Sequence, residues 1–209
     1  MKPLIRVSLL LLVAAFAARA AEDPPDAKPE TPQQIVHQCW TEVAAVLTNA
    51  QLDSLAKEAE IERIAAPYID FELMGKLALG RSHWGRFGDE QRRRYLDLFT
   101  KRIKRSYRKK ISQYEGDRIE LDFTPADVPQ AGHQRPDTAE VPVAITSEGR
   151  RAIVLHKFRK NGDQWKLYDV EIEGVSILLT FRSQFQDILS SADADAKTLL
   201  EELAKPPAD

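Results

Sequence analysis

The sequence predicts an α+β fold: an antiparallel meander of about four strands, covered on one side by helices. Three observations carry this. Between about residues 31 and 115, apolar residues recur at helical spacing. From about residue 117 the spacing shortens to the two-residue period of strands, punctuated by turn residues. Both periods then meet in one stretch, WKLYDVEIEGVSILLTFRSQFQDIL, from Trp165 to Leu189. Helices followed by strands are the α+β pattern.

The helical half starts at Thr31-Pro32-Gln33-Gln34, which combines a threonine cap, a proline in the first turn and a glutamine three residues after the cap. Ile35, Val36, Cys39, Trp40, Val43, Val46 and Leu47 form the stripe behind it, and Cys39 reads there as a small buried hydrophobe. A more polar helix is expected over Leu52 to Ala66, ending before Pro67. Asp70 caps a third through Leu79, closed by Gly80. The longest candidate runs from Asp89 to Tyr114, with Leu96, Phe99, Ile103, Tyr107, Ile111 and Tyr114 on its buried side. Its other positions are densely basic, from Arg92-Arg93-Arg94 to Lys110. That face is either solvated or a docking surface for an acidic partner or lipid headgroups.

In the second half Ile119, Leu121 and Phe123 alternate in a first strand. Ala139, Val141, Val143 and Ile145 alternate in a second, where Pro142 implies an edge or a bulge. Ala152 to Phe158 is apolar on both faces, as in a covered central strand, and Asn161-Gly162 is a hairpin signal. Tyr168, Val170 and Ile172 then alternate against Leu167, Asp169 and Glu171. Beyond Gly174, residues Ile177, Leu178, Phe181, Phe185, Ile188 and Leu189 make one broad apolar helix face. A strand turning through Gly174 into that helix lays the greasy face over the sheet it left. Such an arrangement is either solid core or the wall of an apolar cavity. A last helix is expected over about Asp193 to Ala204.

The N-terminus reads as a cleaved export signal over residues 1–20. Lys2 and Arg6 precede the apolar run Leu9 to Ala17, and Ala18-Arg19-Ala20 is a small-x-small site. Residues 21–30 form a proline-rich leader, and 31–205 a single domain, with a helical lobe at 31–115 and the sheet with C-terminal helices at 117–205. The chain carries a net charge of −2, and losing Lys2, Arg6 and Arg19 makes it −5, which with export argues against nucleic acid. One cysteine forms no internal disulfide. The four histidines, His37, His83, His133 and His156, show no metal-ligand spacing. Ser82 in GRSHWG misses the G-x-S-x-G pattern by one residue, and no phosphate loop or nucleophilic constellation is present.

Two blocks carry a resemblance. YDVEIEGVS (Tyr168 to Ser176), followed by Arg182 and Gln184, is similar to the C-terminal signature of the MlaC/toluene-tolerance (Ttg2-type) family. PYIDFELMGKLALG (Pro67 to Gly80), with Trp84 close behind, resembles that family's other marked segment. Phe181 stands where the resemblance leads one to expect tyrosine.

The resemblance implies a periplasmic phospholipid carrier that maintains outer-membrane lipid asymmetry. It would shuttle lipid between an outer-membrane lipoprotein complex and an inner-membrane ABC transporter complex. Acyl chains would lie in a cavity between sheet and helices, closed by the C-terminal helix. On that reading the tail contacts are Leu77, Trp84, Phe99, Ile103, Val154, Tyr168, Val170, Val175, Ile177 and Leu178. No metal or other cofactor is implied, and a monomer is expected. A hopanoid-associated branch shares the signature. The residues alone also admit a cone-shaped α+β enzyme for an apolar substrate, or an adaptor with a solid core.

Overall fold

The computed structural model describes residues 31–111, 119–126, 135–147, 149–191 and 195–205, with the side chains of 107–111 excepted. The export signal and leader, Tyr114, Gly116 and most of the loop between the first two strands lie outside these residues. Among the described residues there are seven α-helices: α1 (Pro32–Leu47), α2 (Ser54–Ala65), α3 (Phe71–Leu79), α4 (Arg81–Arg86), α5 (Asp89–Ile111), α6 (Ile177–Leu189) and α7 (Ala196–Ala204). The strands are β1 (Ile119–Asp122), β2 (Thr138–Ser147), β3 (Arg150–Asn161), β4 (Gln164–Ile172) and β5 (Val175–Ser176), an antiparallel sheet in the order β1-β2-β3-β4-β5.

The helix starts follow their caps. Thr31 and Gln34 form the expected capping box, Asp53 accepts from Ala56 N–H, and Asp70 from Leu73 N–H. Gly80, at φ +79°, ends α3, and α4 follows at once, a short helix that the sequence reading did not separate. The buried side of α5 is centred on Tyr95, Phe99 and Ile103. Tyr95 is fully buried and was absent from the expected stripe. Its hydroxyl donates to the Gly75 carbonyl at 2.9 Å, which satisfies the phenol inside the core. Gly75 lets α3 and α5 come close, since a Cβ there would sit 2.6 Å from Leu96 Cδ2 and 3.2 Å from Phe99 Cδ1.

Three strand details differ from the expected meander. First, β4 carries a bulge. Lys157 pairs with Asp169 but Phe158 pairs with Leu167, so Tyr168 is the extra residue. The alternation therefore breaks there: Leu167, Val170 and Ile172 share the inner face, and Tyr168 does not join them. Second, the chain does not turn through Gly174 directly into a helix. Glu173 (φ +49°) and Gly174 (φ +79°) form a two-residue turn that pairs Ile172 with Val175, adding the fifth strand before α6. Third, the β3–β4 hairpin loop is Gly162-Asp163, with Gly162 at φ +62° and Asn161 still paired to Gln164. Pro142 is tolerated inside the sheet because β1 reaches only Ala144, so on that side Pro142 has no partner strand among the described residues.

The helices pack on one face of the sheet, where Val141, Val143, Val154, Phe158, Leu167, Val170 and Ile172 join α1, α3, α5 and α6 in one core, with His156 buried beside Trp40.

Candidate functional site

The two sequence blocks converge on the outer edge of β4. The Pro67–Asp70 segment reaches it through Asp70 N–H, which donates to Leu167 O at 2.9 Å, and Lys166, which donates to Pro67 O at 2.6 Å. Glu171 and Ile172 pair with β5 further along the same edge. From there α6 crosses onto α3, where the Arg182 guanidinium lies 3.8 Å from the space a Gly80 side chain would occupy.

Beneath α6 lies an aromatic cluster. Phe99 is fully buried against Tyr95 (5.8 Å between ring centroids), Phe181 (5.5 Å) and Phe185 (6.1 Å). Tyr95 also meets Trp84 and Phe87 edge-on. Trp84 is half-buried at the rim, with the charged ends of Lys76 and Arg92 each 5.4 Å from its ring. Phe181 thus contributes a plain aromatic edge to this cluster.

The start of α6 is held by an acid that the strand alternation had placed among outward residues. Asp169 is 4 % exposed. Its Oδ2 accepts the Ser176 hydroxyl at 2.7 Å and its Oδ1 accepts Leu178 N–H at 3.0 Å. Ser176 Oγ accepts in turn from Leu179 N–H at 3.0 Å. Two of the helix's unpaired N-terminal donors are thereby satisfied. Burial pushes the Asp169 carboxyl above its ordinary range, against the pull of these two hydrogen bonds. The D-x-x-x-E-G-x-S spacing within the signature is the trace of this closure, but sequence alternation alone gave no reason to bury the acid.

The ten expected contact residues separate into three groups. Phe99, Ile103, Val154, Val170 and Ile177 lie in the contiguous core between sheet and helices. Trp84 and Tyr168 pack against its edge, Tyr168 at the bulge. Leu77, Val175 and Leu178 stand outside that cluster: Leu77 is half-buried, Leu178 is buried beside Asp169, and Val175 is 60 % exposed. The described clefts lie elsewhere, along the outer side of α1 and α2; the larger, of about 630 Å³, is lined by Val46, Leu52, Ala56 and Arg63 among others. Among the described residues no group of three or more His, Cys, Asp or Glu side chains has metal-binding geometry, and no helix is long and apolar enough to cross a membrane.

Helices on one face of an antiparallel sheet, with an aromatic seam under the helix that closes the signature, define an α+β protein built around an apolar interior. The sequence model of the MlaC protein family matches residues 37–205, and the chain belongs to that family. It is similar to the toluene tolerance protein ttg2D of Pseudomonas putida, with 24 % identity over 197 residues, covering 89 % of this chain and 83 % of that protein. Its fold matches the phospholipid-binding protein from Ralstonia solanacearum, solved in complex with a phospholipid, at a TM-score of 0.66 and 21 % identity, covering 80 % of this chain and 92 % of that one.

Proposed function

We propose that this protein binds phospholipid between α6 and the sheet. It carries the lipid across the periplasm as a monomer, between an outer-membrane lipoprotein complex and an inner-membrane ABC transporter complex. In that way it maintains outer-membrane lipid asymmetry. The observation that carries the reading is the family match over residues 37–205, which takes in nearly the whole helix-covered sheet. A protein of the same fold that holds a phospholipid supports it. Residues 1–20, with their charged start, apolar run and small-x-small site, support export.

Burial of acyl chains gives about 0.8 kcal/mol per CH₂, so tens of methylenes hold the lipid without a cation on its phosphate. In the closed arrangement Phe99, Ile103, Val154, Val170 and Ile177 touch protein, and the tails take those places when α6 moves away. A partner that binds the opened arrangement better than the closed one then speeds release. The observation that would favour an enzyme is a perturbed ionisable group facing a pocket. His156 is perturbed, with its pKa lowered to about 4 by burial, yet both of its ring nitrogens are engaged within the core.

The test is transfer of a fluorescent phosphatidylglycerol from donor to acceptor vesicles kept apart by a porous barrier. The protein should shuttle the label through the barrier. A rate equal to that of buffer alone would exclude a diffusing carrier.

A further inference from the structure

The buried acid under α6 does more than begin a helix. Ser176 already caps α6 through Leu179 N–H, which by itself is a sufficient start. Asp169 adds a bond to Leu178 N–H and one to the cap's own hydroxyl, and it does so from β4. Its bonds therefore join the helix to the sheet. The arrangement is costly, because an almost fully buried carboxylate is stable only when well paired. The nearest cation, Lys157 Nζ, is 3.8 Å away and is bonded at 2.7 Å to Glu171 instead. The other attachments of this end of α6 to the sheet are the two-residue pairing of β5 with β4 and the apolar packing of Ile177 and Leu178, so Asp169 supplies the polar tie between them. The middle of α6, by contrast, rests on Tyr95 and Phe99 through Phe181 and Phe185. The helix is thus bedded on aromatic surface in its middle and tied at one end by a carboxylate.

We propose that Asp169 is the positioning residue for α6: its carboxylate holds the first turn on β4, and loss of that grip lets the helix lift and the ligand leave. The proposal rests on the phospholipid-binding reading above and names the point at which that site opens. A partner that drew the first turn of α6 away would have two hydrogen bonds to break at one side chain.

The test uses the full mature chain and three variants. Asp169→Asn keeps the Ser176 cap but removes the charge and the acceptor for the Ser176 hydroxyl. Ser176→Ala keeps the charge and removes the hydroxyl, and with it the Leu179 cap, and Ser176→Thr restores both. Hydrogen–deuterium exchange is read at the first-turn amides of α6, with α1 as the internal reference. Loss of fluorescent phosphatidylglycerol to phosphatidylcholine vesicles is followed in parallel. Asp169→Asn and Ser176→Ala should speed exchange at the first turn by about 10- to 100-fold, the worth of hydrogen bonds to a charged group, and leave α1 unchanged. Both should release the lipid faster, and Ser176→Thr should restore the wild-type rate.

Unchanged exchange in Asp169→Asn overturns the proposal. So does faster exchange with a wild-type release rate, which would leave Asp169 with a purely structural part. If Asp169→Asn does not fold, Ser176→Ala and its threonine rescue carry the same two outcomes when exchange is read at the Leu178 amide, which bonds Asp169 and not Ser176. Failure of the wild-type protein to load the probe would count against phospholipid binding instead, while the exchange measurement still decides whether Asp169 positions α6.

Discussion

Trp40 on α1 donates its indole N–H to Nε2 of His156 on β3, across 3.0 Å inside the core. The other ring nitrogen, Nδ1, lies 3.0 Å from Val141 O and donates to it, which fixes the tautomer. This short chain ties the first helix to two central strands and leaves no polar atom of the imidazole unpaired. It also makes a charged imidazole incompatible with the site, because Nε2 would then have a proton pointing at another donor.

The pH dependence follows from that geometry. His156 has a pKa of about 4 in the fold against 6.5 ordinarily, lowered chiefly by burial. The unfolded chain therefore binds the proton more readily, so the contribution of His156 is complete above about pH 6.5 and is lost as the pH falls toward 4, by about 3 kcal/mol. Asp169, whose pKa is raised by burial, acts in the opposite sense. Comparison with His156→Gln, which can accept from Trp40 and donate to Val141, cancels that term. Urea unfolding at pH 7.5 and pH 4.5 should show a steep loss for the wild type and a shallower one for the variant. Parallel losses would remove His156 as the cause.

Gly75→Val should destabilise the protein by about 1–3 kcal/mol. Valine carbons at this point enter the space of Leu96 and Phe99, and the Tyr95 hydroxyl pins the Gly75 carbonyl against retreat. The gain in helix propensity over glycine is smaller, well under about 1 kcal/mol for a β-branched residue. A thermal midpoint equal to that of the wild type would show that α3 and α5 separate freely.

Val175→Trp and Ile177→Trp should both reduce bound lipid, but through different starting points. Val175 is 60 % exposed, so tryptophan there leaves the fold intact. Ile177 is 9 % exposed and in the core, so its replacement also costs about 1–3 kcal/mol by overpacking. Lipid content unchanged in Val175→Trp would take the β4–β5 hairpin out of the ligand wall.

The basic face of α5 is best tested at Arg93 and Arg94. Arg92 holds the Trp84 carbonyl at 3.1 Å and lies over its ring, so reversing its charge would disturb the α4–α5 joint. Arg93 is exposed and pairs with Glu90, and Arg94 is exposed. Arg93→Glu with Arg94→Glu should leave fold and lipid content unchanged and, on the proposed carrier reading, weaken binding to the inner-membrane complex. Undiminished binding would mean that this face is simply solvated.

Local chemistry was legible in the sequence and register was not. Thr31, Asp53, Asp70 and Gly80 act within one helical turn, and three of the four were readable as caps from their spacing alone. The bulge at Tyr168 depends on where β4 pairs with β3, a long-range choice that alternation cannot reveal. It moves Leu167 to the inner face and gives Asp169 its place beside Lys157. The fifth strand was hidden because the turn sets Glu173 at positive φ. That conformation is held by Glu173 N–H donating to Ile153 O at 3.0 Å and by Ile153 N–H donating back to the Glu173 carboxylate at 2.6 Å. Tyr95 stands one helical turn before Phe99 on the same face, but the expected stripe began at Leu96, and only the Gly75 carbonyl beside its hydroxyl shows how the phenol is accommodated there. Of the expected contacts, periodicity placed Phe99, Ile103, Val154, Val170 and Ile177 among core residues, whereas Val175 lies in the short fifth strand ahead of α6 and is exposed.

The most direct measurement is mass spectrometry of the protein purified without delipidation, first native and then denatured with solvent extraction. About one phospholipid should be released per chain, with a native mass above that of the bare polypeptide by that lipid. An extracted hopanoid would move the cargo to a different lipid class. A native mass equal to the bare chain, with nothing extracted, would contradict the binding claim and leave a solid-cored protein.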